Sequence, residues 1–199
     1  MCLLAVEDEL SSAVVRRLLR NHPVASNGCM VAGLRGFGYL KANLGNYMQV
    51  AKNVRPVFML TDLDHSICAP SLMAAWFQGA SMPRQFLFCV AVREVESWLL
   101  ADRTAMAAFL DVSEAKITRD VESISGPKEY LLKLASRAPR DIRRDLLPAK
   151  NAVASQGFGY NSRMGQFVEQ YWSPERGGEI CSSLKRAMDR IATWGIEAS

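Results

Sequence analysis

The sequence predicts an α/β protein: a Rossmann-like, four-stranded parallel sheet flanked by helices, followed by a helical C-terminal extension. Three observations carry this reading. Short apolar, β-favouring runs alternate with helical stretches through the first half of the chain. The run Val-Phe-Met-Leu-Thr-Asp-Leu-Asp-His (57–65) leads straight into two aspartates, as suits a strand buried on both faces. After Asp102 no further strand-like run occurs. The expected organisation is an α/β domain over 1–102 and a helical extension over 103–199 packed on it.

Leu3 to Val6 reads as a short buried strand ending at Glu7-Asp8-Glu9. From Leu10, apolar Leu10, Val14, Leu18 and Leu19 recur at helical spacing, and Pro23 closes that helix. Val24 to Ala32 holds a weak second strand, broken by Asn27-Gly28. Gly33-Leu-Arg-Gly-Phe-Gly38 lacks the spacing of a phosphate-binding loop and reads as a flexible loop, with a helix from Tyr39 to about Lys52 after it. Beyond the aspartate strand, Pro70 suits an early helical position in a helix reaching Gln78. Phe86 to Val92 is the fourth strand, and Arg93 to Asp102 a helix with Val95, Trp98 and Leu99 inward. Gly178 to Trp194 forms a terminal helix capped by Gly195.

The chain has 199 residues, 49% hydrophobic and 22% charged, with a formal net charge of +4. No apolar run approaches the roughly 18 residues of a membrane span, and the acidic start is unlike a signal peptide. Five scattered cysteines suggest neither a disulfide framework nor a paired metal motif, so a reducing cytoplasm is expected. Two histidines make a histidine-rich zinc site a poor fit.

In parallel α/β sheets, functional groups collect where the strands end at their C-termini. Glu7 ends the first strand, Asp62 and Asp64 the third, and Arg93, Glu94 and Glu96 follow the last. Alternate residues of a strand face one way, so Asp62 and Asp64 face one site if strand geometry persists. The ordinary alternative is that Asp62 turns the chain and Asp64 caps the next helix. Oxygen-only donors of this kind suit Mg²⁺ or Mn²⁺.

The strand order, the glutamate after the first strand and Asp-x-Asp after the third resemble the Toprim domain. Glu7 matches the family glutamate, with Asp8 and Glu9 beside it, and Asp62 and Asp64 match Asp-x-Asp. Thr-Asp-Leu-Asp, followed by Arg-Glu-Val-Glu-Ser-Trp-Leu-Leu-Ala-Asp (93–102), is similar to bacterial Toprim-like proteins that accompany ATPases in phage-defence loci. The resemblance implies a nuclease that hydrolyses phosphodiesters with Mg²⁺ or Mn²⁺. Glu7, Asp62 and Asp64 would be catalytic and metal-binding, with Glu96 a further metal ligand. Nucleic acid would be the substrate and an ATPase a partner. A non-catalytic Toprim-like binding subunit and a receiver-type signalling domain are the alternatives.

Between Lys116 and Lys150 nine basic residues face five acids, a surplus equal to that of the entire chain. Such a segment suits a phosphate backbone or an ordinary solvated helical face. Arg93, Lys128 and Arg143 are the candidate nucleic-acid contacts. Trp98 is expected in the core, His65 on a turn, and Asp102 at a helix end.

Overall fold

The computed structural model describes residues 1–195. The chain divides into two compact units: Met1–Val92 with the C-terminal stretch from Arg186, and Arg93–Lys185.

The first unit is built on a four-stranded, wholly parallel sheet in the order β2-β1-β3-β4. Its strands are β1 (Cys2–Val6), β2 (Cys29–Gly33), β3 (Val57–Asp62) and β4 (Phe86–Ala91). The helices between them are α1 (Glu9–Leu18), α2 (Gly36–Ala42), α3 (Leu44–Asn53) and α4 (Ala69–Phe77). Side-chain alternation sorts the strands β1, β3 and β4 into two faces. Ala5, Val57, Met59, Phe86 and Phe88 join a core with Leu40, Tyr47, Leu72 and Trp76 from α2 to α4. Phe58, pointing the other way, meets Trp194 edge-on at 5.8 Å between ring centroids.

Three local expectations need correction. The single helix from Tyr39 to Lys52 is two, α2 and α3, meeting at Asn43, whose N–H is shared between the Tyr39 and Leu40 carbonyls while its side chain also donates to the Tyr39 carbonyl at 2.9 Å. The flexible loop at 33–38 is ordered secondary structure at both ends, with Gly33 closing β2 and Gly36 opening α2. Cys2 and Cys29, register partners on adjacent strands, are joined as a disulfide. A separation of 27 residues gave no hint of that adjacency, and the cysteine count therefore does not support a reducing compartment. No helix among the described residues is long and apolar enough to cross a membrane.

The second unit is helical: α5 (Val95–Ala101), α6 (Arg103–Leu110), α7 (Pro127–Ala135), α8 (Arg140–Leu146), α9 (Tyr160–Gln170) and α10 (Pro174–Gly178). Every residue of α5 is buried. Trp98 lies in its core as expected, donating to Ser183 Oγ at 2.8 Å, while Trp172 donates to the Trp98 carbonyl at 3.1 Å. The unit boundary at Lys185 falls inside the last helix, α11 (Ser182–Thr193). That helix starts later than the sequence suggests. The Glu122 carboxylate accepts from the Ser183 N–H at 2.7 Å and from the Ser182 hydroxyl, fixing a new N-terminus there.

Gly33 adopts φ +99, and a Cβ there would stand 2.3 Å from the Val6 carbonyl oxygen. Gly33→Ala should therefore destabilise the protein by more than about 1 kcal/mol. A shift of the urea midpoint to lower concentration at unchanged slope measures it.

Candidate active site

β1 and β3 are paired with an offset of 54 residues, as in Leu3↔Val57 and Ala5↔Met59. The same offset brings Glu7 to Thr61 just beyond the ladder. The Thr61 hydroxyl donates to Glu7 Oε1 at 2.6 Å, and the Asp62 N–H donates to the same oxygen at 3.0 Å. Glu7 is half-buried and Thr61 buried. Both bonds fall on Oε1, which leaves Oε2 for a ligand or a proton. Burial pushes the Glu7 carboxyl above its ordinary range, and the nearby charges of Asp64 and Asp8 push the same way. The bonds from Thr61 and Asp62 oppose that rise without cancelling it.

Asp8 caps α1, accepting from the Ser11 N–H at 2.8 Å, and the exposed Glu9 begins the helix. The capping role sets Asp8 apart from Glu7, which is tied to β3.

β3 ends at Asp62, which is register partner of Ala91 on β4. Leu63 still donates to the Ala91 carbonyl at 2.8 Å, and then the chain turns. Asp64 sits in the left-handed region at φ +47 and is exposed, so strict strand alternation does not extend to it. Aspartate tolerates that conformation better than most residues. Asp64 does not cap the next helix, whose N-cap is Cys68. His65 beside it is exposed, as expected of a turn.

The remaining predicted residues belong to the second unit. Glu96 is buried at 1% exposure. Its Oε1 accepts from the Tyr160 hydroxyl at 2.8 Å and lies 3.4 Å from Lys128 Nζ. Burial raises its pKa against the pull of Lys128 and Tyr160. Glu94 accepts the Lys128 backbone N–H at 2.7 Å, and the Lys128 ammonium lies over the Tyr160 ring at 5.4 Å. Asp102 is buried, accepting from the Ser173 N–H and forming two bonds with Arg176 at 2.7 and 2.8 Å. Arg93 is half-buried and Arg143 exposed on α8.

Among the described residues, no three His, Cys, Asp or Glu side chains are gathered into a ready-made metal cage. The donors at the sheet edge are nevertheless all carboxylate oxygens, which suit a hard divalent cation. Mg²⁺ commonly takes only one or two carboxylates, completing its shell with water and substrate phosphate. Glu7, Asp62 and Asp64 fit that mode by donor chemistry. Sequence reasoning missed Thr61 and Tyr160. The 54-residue offset points to Thr61 once the strands are paired, whereas nothing in the sequence marks Tyr160 as a partner of Glu96.

Two outcomes follow from these environments. A carboxyl whose folded pKa exceeds its unfolded value penalises the fold above the folded pKa and not below the unfolded one. Metal-free Glu7→Gln should thus be more stable than wild type at neutral pH, with the advantage shrinking as pH falls into the ordinary carboxylate range. Urea melts with chelator over a pH series test this; a difference independent of pH refutes it. Separately, Lys128→Ala leaves the Glu96 carboxylate without its cation. It should cost on the order of 2 kcal/mol, less than the roughly 3–5 of a fully buried pair because Lys128 retains solvent contact. Adding Glu96→Gln should recover part of the loss, giving a non-zero coupling energy in the double-mutant cycle.

No family model matches the chain, and no curated protein matches it in sequence. Among solved structures it is similar to the C-terminal region of the Burkholderia pseudomallei OLD protein. That similarity has a TM-score of 0.48 and 14% sequence identity, and covers 96% of each chain.

Proposed function

We propose that the protein is a metal-dependent phosphodiesterase acting on nucleic acid, with Glu7, Asp62 and Asp64 as its reactive edge. The observation that carries the reading is the fixed Glu7 carboxylate at the C-terminal end of a parallel sheet, tied through Oε1 to Thr61 and Asp62. Asp62 and Asp64 would hold Mg²⁺ or Mn²⁺, with Glu7 as a third donor or as the proton carrier. The cation supplies charge neutralisation for the phosphate and the leaving oxygen. Glu7 can move a proton at Oε2 while Oε1 stays anchored. Its raised pKa brings the protonated form closer to neutral pH, as a general acid needs.

Arg93, Lys128 and Arg143 are proposed as phosphate contacts. Arg143 is exposed, and Lys128 keeps part of its side chain in water beside Glu96. Glu96 remains a proposed metal ligand, in competition with the bonds it makes to Lys128 and Tyr160. A partner ATPase, as the family resemblance implies, would make the chain the effector of a two-component phage-defence system.

The test is a cleavage assay on single- and double-stranded DNA and RNA with Mg²⁺ or Mn²⁺, in the presence and absence of a candidate ATPase. Wild type should nick or degrade at least one substrate. Asp62→Asn and Asp64→Asn should reduce the rate by on the order of 100-fold or more, about 2.7 kcal/mol of barrier. Equal rates in wild type and both variants would show the cleavage to be a contaminant's. Absence of cleavage with intact nucleic-acid binding would favour a non-catalytic subunit.

A further inference from the structure

The second unit contains a basic cleft of about 350 Å³ that takes no part in the proposed cleavage. One wall is a single face of α7 and the residues that follow it. Tyr130, Lys133, Leu134 and Arg137 recur at i, i+3, i+4 and i+7 and therefore lie in line. Val112, Lys116 and Ser136 complete the lining. The two sides are fastened together: the Tyr130 hydroxyl donates to the Lys116 carbonyl at 2.6 Å and accepts from the Thr118 N–H at 3.2 Å. The aromatic ring is thereby held in place before any ligand arrives.

The charge of the cleft is one-sided. Lys116, Lys133 and Arg137 line it and no acid does. None of the three makes an ion pair among the described residues. Two acids close in sequence are occupied or turned elsewhere. Glu114 pairs with Arg103 at 3.1 Å and accepts from the Thr104 hydroxyl. Glu129, one turn before Lys133, directs its carboxyl toward Gly126, where a Cβ would meet it at 3.4 Å. Convergent cations without acids attract phosphate, while a fixed ring and the apolar Val112 and Leu134 suit a flat, weakly polar group. A single ligand carrying both features is a nucleotide. The volume is at the lower end for ligand clefts, about 300–1,000 Å³, which suits one nucleotide better than several.

We propose that this cleft binds a nucleotide through its phosphate and base, either a free mononucleotide or the phosphorylated 5′ end of a strand. Such binding does not require phosphodiester hydrolysis, and the two are measured apart. The whole protein, in chelator so that no cleavage occurs, is titrated calorimetrically with adenosine 5′-monophosphate and a short oligonucleotide with or without a 5′ phosphate. Inorganic phosphate serves as the anion control. Wild type should bind the nucleotide or the phosphorylated end more tightly than inorganic phosphate. Tighter binding of the free nucleotide identifies a small-molecule site; tighter binding of the oligonucleotide, dependent on its 5′ phosphate, identifies a strand end. Lys133→Gln with Arg137→Gln should weaken binding by about tenfold or more, about 1.4 kcal/mol. The slope of log affinity against log salt should flatten by about one for each phosphate charge that the variant no longer neutralises. The melting temperature should stay near wild type, because both side chains are exposed. Unchanged affinity in the double variant overturns the assignment. So does inorganic phosphate binding as tightly as the nucleotide, which would reduce the cleft to a patch of surface charge.

Discussion

β1 and β3 lie side by side with a fixed offset, and the chemistry of the acidic edge depends on that pairing. The offset places Glu7 opposite Thr61, so that the residue just past β1 and the penultimate residue of β3 are joined by a hydrogen bond instead of ending independently. A one-residue slip would turn every side chain of a strand to the opposite face, removing both the apolar packing and the Glu7 anchor. The packing is two-sided: Met59 faces the α2–α4 layer, Phe58 the other. Burial of the sheet thus fixes the register, and the register positions the carboxylate. Gly33 supports the same end of the sheet, since its missing side chain lets β2 close against the Val6 carbonyl. From there Leu34 donates to that carbonyl and Gly36 to the carbonyl of Glu7.

The sheet was legible in the sequence because buried parallel strands appear as uninterrupted apolar runs, and the acids stand directly at their ends. The alternation of strands and helices and the positions of Glu7 and Asp62 follow from that pattern, whereas the order β2-β1-β3-β4 is set by the fold. Side-chain direction beyond the last ladder bond does not. Asp64 is two residues after Asp62, but its left-handed backbone removes it from strand alternation. Thr61 looked like one more β-favouring residue until pairing gave it a neighbour. Cys2 and Cys29 are likewise made adjacent by register alone. Glu122 shows another limit: its side chain meets the start of a helix through a hydrogen bond that apolar periodicity does not record.

The segment from Arg93 to Asp102 shows how polar residues can occupy a helix buried on every side. Glu96 is met by Tyr160 and Lys128. Asp102 is met by Ser173 and Arg176. Trp98 uses its indole N–H on Ser183. Each partner comes from a distant part of the sequence within the same unit. An acid in such a helix needs these bonds simply to be buried, because an unmet carboxylate there costs several kcal/mol or titrates to its neutral form. The same bonds hold Glu96 in one orientation and occupy its Oε1.

The basic surplus between Lys116 and Lys150 divides on the same principle. Lys128 answers a buried acid, and Arg144 lies 3.3 Å from Asp145. Arg163, from outside the segment, answers Asp145 again and Asp141 as well. These acids are therefore satisfied locally. Arg140 and Arg143 remain exposed on α8, and Lys116, Lys133 and Arg137 gather at the cleft. A cation already paired with a carboxylate must give up that partner before it binds phosphate, whereas one paired only with water exchanges water and counterions. Net charge counts both kinds equally. Binding strength depends on the second kind. The helical period of α7 sets Lys133, and Arg137 just beyond its end, beside a fixed aromatic ring instead of scattering them around the helix.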